Sequence, residues 1–363
     1  MIDNIFAMSL DGMTYAPTGK PAPACKLGDF VFAAMALDHG HINGQTNGLR
    51  EAGGLCKWVY DANPERVAHF IAAYPEAKAA RCEAEILDDP AVHMVAAAAI
   101  PNLRAGLGMR VMEAGKDYFT DKTPLTTLDQ LAQVRAVVAR TQRRYMVYFS
   151  ERLHVESAMY AGDLVHQGVI GKVLNVIGLG PHRLGTGRPS WFFNKSQYGG
   201  ILCDIGSHQI EQFLYYSGAT EARIASAQVG NFGHPHTPEL EDFGEANLVG
   251  NNGATNYFRV DWFTPNASRT WGDGRLFILG TEGYIEIRKT IDVTTDHGGD
   301  QLLLVNHEKE QRISCNGKVG FPFFGRLVRD CLDRSETAMT QTHALKAAEL
   351  CIKAQLAALR ITT

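Results

Sequence analysis

Asp204 and His208 stand four residues apart in "DIGSHQIEQF", a spacing that places both on one face of a helix. A histidine of ordinary pKa can accept a hydroxyl proton near neutral pH, and a neighbouring carboxylate can orient it or bind an adjacent hydroxyl. Gly199-Gly200 before the pair and Gly206 within it leave room for a ligand to come close. Lys122 follows the short strand pattern "DYFT". At the carboxyl edge of a parallel sheet, its ammonium would stabilise negative charge growing on a substrate oxygen. The plainer alternatives are a solvated surface lysine and a packed core histidine.

A second group suits anion binding. In "FVFAAMALDHGHINGQTNGLREAGG" a strand pattern runs into a helix pattern, where a dinucleotide-binding turn would read G-x-G-x-x-G. Here the turn is Asp38-His39-Gly40-His41-Ile42-Asn43, with only the middle glycine kept. Gly40 permits close backbone approach, and the N–H groups opening the helix at His41 and Ile42 favour a phosphate. Asp38 would repel that phosphate unless it turns away or bonds to backbone. Asp61 closes "CKWVYD" roughly 20 residues after the glycine, where an acid holds ribose hydroxyls and disfavours a 2′-phosphate. NAD is therefore expected ahead of NADP. Asp61 is also placed to help cap the helix at "NPER".

The elements that must position these residues alternate from Phe30 onward. Apolar runs "FVFAAMAL", "CKWVY", "VHMVAAAAI", "DYFT" and "RYMVYF" read as strands. Between them lie helix patterns, including one capped by Asn63 with Pro64 in its first turn. Another carries Leu128, Leu131, Val134 and Val138 as its apolar stripe. Such alternation requires a parallel sheet covered on both faces. Residues 29–150 are assigned to this domain, and residues 1–28, rich in Pro, Gly and small polar residues, to an extended arm. Residues 151–363 form an α+β domain: helix, strand, a Gly- and aromatic-rich loop, a helix near Asp204, then a series of strands and a closing helix. The strands predict a large, mostly antiparallel open sheet.

Composition excludes several classes. The 363 residues are 45% hydrophobic and 20% charged, with a net charge of −4, so neither nucleic acid nor an anionic membrane is an expected partner. No signal peptide or spanning segment is read, and 7 scattered cysteines fit reduced thiols in the cytoplasm. The pairs His39/His41 and His234/His236 lack an identifiable carboxylate as third ligand, so no metal is expected.

Four stretches resemble the glucose–fructose oxidoreductase/inositol dehydrogenase/MocA (Gfo/Idh/MocA) family. They are "AIPNLRAGLGMRVMEAGK", "MEAGKDYFTDKTPLTTLDQL", "GGILCDIGSHQIEQFLYYSG" and "LGTEGYIEI". The family's Glu-Lys-Pro is here Asp121-Lys122-Thr123-Pro124, and the histidine after its "TPN" is Arg104. The resemblance implies an N-terminal Rossmann dinucleotide-binding domain and a C-terminal α+β domain with a large open sheet. It implies catalytic roles for Lys122, Asp204 and His208. Cofactor contacts are implied at Asp38, Gly40, His41, Ile42, Asp61, Pro101, Asn102 and Asp121. Arg152, His182 and Trp191 are candidate substrate contacts, Trp191 by stacking on a sugar ring. The implied activity is NAD-dependent hydride transfer at a secondary hydroxyl of a sugar, glycoside or cyclitol, in a homodimer or homotetramer. The alternatives are an NAD-dependent glycosidase working by transient oxidation and elimination, and a non-catalytic relative with a degenerate cofactor loop.

Overall fold

The computed structural model of the chain describes residues 12–19, 22–294 and 298–361. Part of the expected arm, residues 1–11 with 20 and 21, lies outside the described residues. The chain divides into two compact units, Met13–Tyr148 with Phe321–Leu345, and Phe149–Gly320 with Gly12 and the stretch from Lys346.

In the first unit the elements run β1 (Val31–Met35), α1 (His41–Glu51), β2 (Leu55–Tyr60), α2 (Pro64–Ala73), β3 (Lys78–Ala79), α3 (Glu83–Leu87), β4 (Met94–Ala97), α4 (Pro101–Glu113), β5 (Asp117–Asp121), α5 (Leu128–Thr141) and β6 (Tyr145–Tyr148). The strands are all parallel, in the order β3-β2-β1-β4-β5-β6. This is the Rossmann order, with its reversal between β1 and β4, and the reversal opens a crevice outside the carboxyl ends of those strands. β1, β4, β5 and β6 are buried along their whole length, as helices on both faces of a sheet demand. The Asn63 side chain accepts the Glu65 N–H at 2.9 Å, fixing the start of α2. The buried stripe of α5 is Leu131, Val134 and Val137, while Leu128 is exposed. The expected stripe was thus wrong at both ends, because the docked face is set by contact with the sheet rather than by hydropathy alone. β3 and α3 escape the sequence reading because a two-residue edge strand leaves no periodicity.

In the second unit come α6 (Ser150–Leu153), α7 (Glu156–His166), β7 (Val173–Pro181), α8 (Lys195–Tyr198), α9 (Ile201–Asp204) and α10 (Gly206–Ser217). Then follow β8 (Ala222–Gly230), β9 (Phe243–Gly250), β10 (Thr255–Asp261), β11 (Arg275–Gly280), β12 (Gly283–Arg288), β13 (Gln301–Asn306) and β14 (Glu310–Ser314). The chain closes with α11 (Pro322–Asp333), α12 (Gln341–Ala357) and β15 (Leu359–Ile361). Nine strands form one sheet in the order β14-β13-β12-β11-β7-β10-β9-β8-β15. It is antiparallel except where β7 meets β10 and β8 meets β15. β9 and β11 alternate buried and less buried positions, so one face is packed and the other is open. α10 lies against β7, β9 and β10 on the packed face. α11 belongs to the first unit, where Phe323 and Phe324 pack on Phe119.

α4 lies close on the sheet of the first unit because Gly108 has no side chain. A Cβ there would meet the Tyr145 ring at 2.4 Å and the Tyr118 ring at 2.6 Å, and both tyrosines are fully buried. Gly108→Ala should therefore destabilise the protein by about 1–3 kcal/mol through overpacking, despite alanine's better helix propensity. Urea unfolding measures this, and an unchanged or raised midpoint would refute the packing argument.

Candidate functional site

The first unit has a cavity of about 730 Å³ at the carboxyl ends of its strands, lined by Met35, Asp38, Tyr60, Asp61, Arg66 and Asn102 among others. Ala36, also in its wall, adopts φ +52°, a left-handed conformation that costs an alanine of order 1 kcal/mol. It is held there from both sides, its N–H bonded to Tyr60 O and its carbonyl to Ala98 N, each at 3.1 Å. Asp61 accepts the backbone N–H groups of Leu37 at 2.6 Å and Asn63 at 2.7 Å, so its carboxylate ties the end of β1 to the start of α2. Asp38 turns to the Arg66 guanidinium, 2.5 Å away. Asp38 was expected either to turn away or to bond to backbone; its charge at the turn is answered by the ion pair with Arg66. Arg66 also stands 3.6 Å from Asp61, a role the sequence did not reveal.

Beside this cavity, Asp121 gathers the turn. His41 Nδ1 lies 3.0 Å from its Oδ1 and His39 Nδ1 3.3 Å from its Oδ2. The Lys122 N–H donates to Oδ1 at 2.8 Å, and Arg104 Nη2 stands 3.4 Å from Oδ2. Arg104 further donates to the carbonyls of Ala99 and Thr123, bracing the loop that carries Lys122. All five residues are buried, Lys122 included, and the Lys122–Thr123 peptide is cis. Burial pushes the Asp121 carboxyl up, but His41, Arg104 and His39 outweigh it and hold the group far below the usual range. Burial, reinforced by His41, keeps His39 a neutral imidazole. Asp121 is the carboxylate partner that the sequence could not supply for the His39/His41 pair, because it lies 80 residues away. The three groups are close enough to share an ion. Arg104 already brings positive charge to the same carboxylate and Lys122 gives it a backbone N–H, which opposes a divalent cation and favours a hydrogen-bonded network.

In the second unit Asp204 ends α9 and His208 lies in the first turn of α10, both buried. Ile205 between them is itself helical in conformation, but the pair falls in two successive helices rather than in the single helix expected. The sequence missed Glu151. Its Oε2 accepts Lys289 Nζ at 2.8 Å and Gln209 Nε2 at 2.9 Å, while Oε1 lies 3.8 Å from His182 Nε2. Among the described residues, Glu151 Oε1 has no hydrogen-bond partner. Burial pushes the Glu151 carboxyl up, but Lys289, His208 and His182 bring it down to about 2. Arg152, the residue singled out beside it, is committed elsewhere: its Nε donates to both Glu211 oxygens at 2.9 Å, and its guanidinium lies 3.8 Å from the Tyr215 ring centre. That satisfied, buried pairing leaves it a structural ion pair rather than a substrate contact. Trp191 is 6% exposed and packs on Phe192. His182 packs against Trp262 and Trp271. Pro101 is buried at the first turn of α4, and Asn102 lines the first unit's cavity.

Residues 159–286 match the sequence profile of the GFO/IDH/MocA C-terminal domain. A solved structure from Erwinia carotovora atroseptica SCRI1043, provisionally an oxidoreductase, is 50% identical, with a TM-score of 0.89 over 92% of this chain and 100% of that one. The chain belongs to the Gfo/Idh/MocA family. Levoglucosan dehydrogenase of Pseudarthrobacter phenanthrenivorans is 29% identical over 170 residues, 46% of this chain and 43% of that protein. The chain thus matches less than half the length of that curated relative. A levoglucosan dehydrogenase solved with NADH and L-sorbose shares the fold at a TM-score of 0.73, with 18% identity over 90% of this chain and 96% of that one.

The Glu151 cluster of this family member has a pH signature. A carboxyl whose folded pKa is depressed stabilises the fold above its ordinary value of 4.5 and loses that contribution as pH falls towards about 2. Glu151→Gln should cost about 3–5 kcal/mol at neutral pH by leaving Lys289 uncompensated. The gap to the parent protein should narrow as pH is lowered through this window. Urea titrations at a series of pH values test it, and a constant gap would contradict the charge assignment.

Proposed function

We propose that the protein transfers hydride between NAD and a secondary hydroxyl of a sugar, glycoside or cyclitol. The observation that carries this reading is the cavity at the strand-order reversal, with Asp61 and Asn102 in its wall. Family membership supports it, as does the NADH held by a structural relative. The residues fit a dinucleotide: the cavity suits an adenosine half, and Arg66 cancels the charge of Asp38, which would otherwise oppose a phosphate. Gly40 and the opening turn of α1, with His41 and Ile42, would hold the pyrophosphate. Bound, the nicotinamide supplies a hydride acceptor.

The chain's own residues do the rest. His208 takes the hydroxyl proton at an imidazole nitrogen, and Asp204 orients it or binds a neighbouring hydroxyl. Lys122, held through its backbone by Asp121, stabilises negative charge on the substrate oxygen. Each of the three is buried within its own unit, where electrostatic effects are stronger than in water. The same reading makes the protein a cytoplasmic homodimer or homotetramer. Phe277, Leu279 and Tyr284 on the sheet of the second unit are exposed and available for association.

Titration with NAD should raise the melting temperature, the stabilisation reaching about 2.7 kcal/mol at a hundredfold excess over Kd. A screen of sugars and glycosides should then yield NADH. His208→Asn should lower kcat by roughly 10²–10⁴ while leaving NAD binding intact. Absence of NAD binding would defeat the proposal, and loss of an aglycone without net NADH would redirect it to the glycosidase chemistry.

Arg66→Ala would leave Asp38 uncompensated. It should weaken NAD about tenfold, and NADP more, since a half-buried guanidinium on the cavity wall is the group a 2′-phosphate would seek. Calorimetry with both cofactors measures this, and equal affinities before and after substitution would remove Arg66 from the site.

A further inference from the structure

The N-terminal segment Met13–Gly19 runs along α1 in the same direction as the helix, Met13 lying at Gly40 and Gly19 at Glu51. A Cβ built on Gly40 would meet the Met13 carbonyl oxygen at 2.5 Å, and one on Gly44 would meet the Tyr15 carbonyl oxygen at 3.3 Å. Asn47 Nδ2 donates to Ala16 O at 3.3 Å, and Gly19 N–H donates to Glu51 Oε2 at 2.9 Å. Gly40, Gly44, Asn47 and Glu51 recur at helical spacing, so a single face of α1 receives the segment. Tyr15 is buried at 4% exposure, which makes the segment part of the packed unit.

Gly40 has φ −62°, a conformation open to any residue, so its lack of a side chain answers to space and not to backbone geometry. The space it leaves is occupied by Met13. In a dinucleotide turn the middle glycine is bare so that a pyrophosphate can come close to the backbone. Here a peptide oxygen with partial negative charge takes that approach, beside the positive end of the α1 dipole. The side-chain tethers of the segment, Asn47 and Glu51, lie well along the helix, away from the turn itself.

We propose that Met13–Gly19 is a strap competing with the dinucleotide pyrophosphate for the N-terminus of α1, so that cofactor binding requires the strap to lift. The proposal rests on the dinucleotide reading given above. It makes the apparent affinity for NAD the intrinsic affinity multiplied by the fraction of molecules with the strap released. Loosening the tethers should raise that fraction without touching the groups assigned to catalysis.

The test uses the full chain and a doubly substituted form, Asn47→Asp with Glu51→Ala. The aspartate keeps an acceptor for Tyr74 Oη but loses the donor to Ala16. NAD affinity is measured by calorimetry, and hydrogen exchange is followed at residues 13–19 of the unsubstituted protein with and without NAD. The expected result is NAD binding about tenfold tighter in the loosened form, with faster exchange at residues 13–19 when NAD saturates the parent. Equal affinities with unchanged exchange would overturn the strap and leave the dinucleotide reading standing. No NAD binding by either form would overturn both. The exchange measurement needs no substitution, so it decides the matter even if the double variant fails to fold.

Discussion

A buried carboxylate organises the carboxyl edge of the first unit. Asp121 is wholly inaccessible, and an isolated charge in that position would be prohibitive without partners. Its partners come from three places in the chain: His39 and His41 from the turn after β1, Arg104 from α4, and the Lys122 amide from the loop after β5. The conformation of each segment is therefore conditional on the others. A glycine-rich turn gets its shape from close packing against backbone. This turn is tied to one acid through His41 Nδ1, while His39 lies beside that acid and its Nδ1 accepts the His41 N–H.

The second unit uses the same device differently. Glu151 is buried with Lys289 and Gln209 on one oxygen and faces His182 with the other. Both acids are held ionised against the cost of burial by neighbouring cations and imidazoles. The consequence is a fixed charge near each histidine group, which a static arrangement of dipoles could not supply as strongly. Asp38 and Arg66 show a third version, in which a charge placed badly for a phosphate is neutralised by its neighbour.

The parallel order of the first sheet, the antiparallel character of the second, and the capped start of α2 were all legible from periodicity and turn residues. Asp61 was legible as an acid at the end of β2, but its engagement with Leu37 and Asn63 was not. Arg152 shows the limit of reading charge by position. It stands next to Glu151, and only packing decides that the arginine is spent on Glu211 while the glutamate faces His182. Trp191 shows the same limit for an aromatic residue, since ring size predicts stacking equally well on a sugar or on Phe192.

What the sequence determined by itself was therefore local: which segments alternate, where helices begin, and which residue types could carry an anion or a proton. These follow from backbone geometry and hydrophobic spacing, which act over a few residues. The tertiary structure alone decided how distant charges are paired. Asp121 is 80 positions from His41, and Lys289 is 138 from Glu151. A buried charge takes whichever partner the fold brings within hydrogen-bonding distance, and no local pattern in the chain encodes that choice.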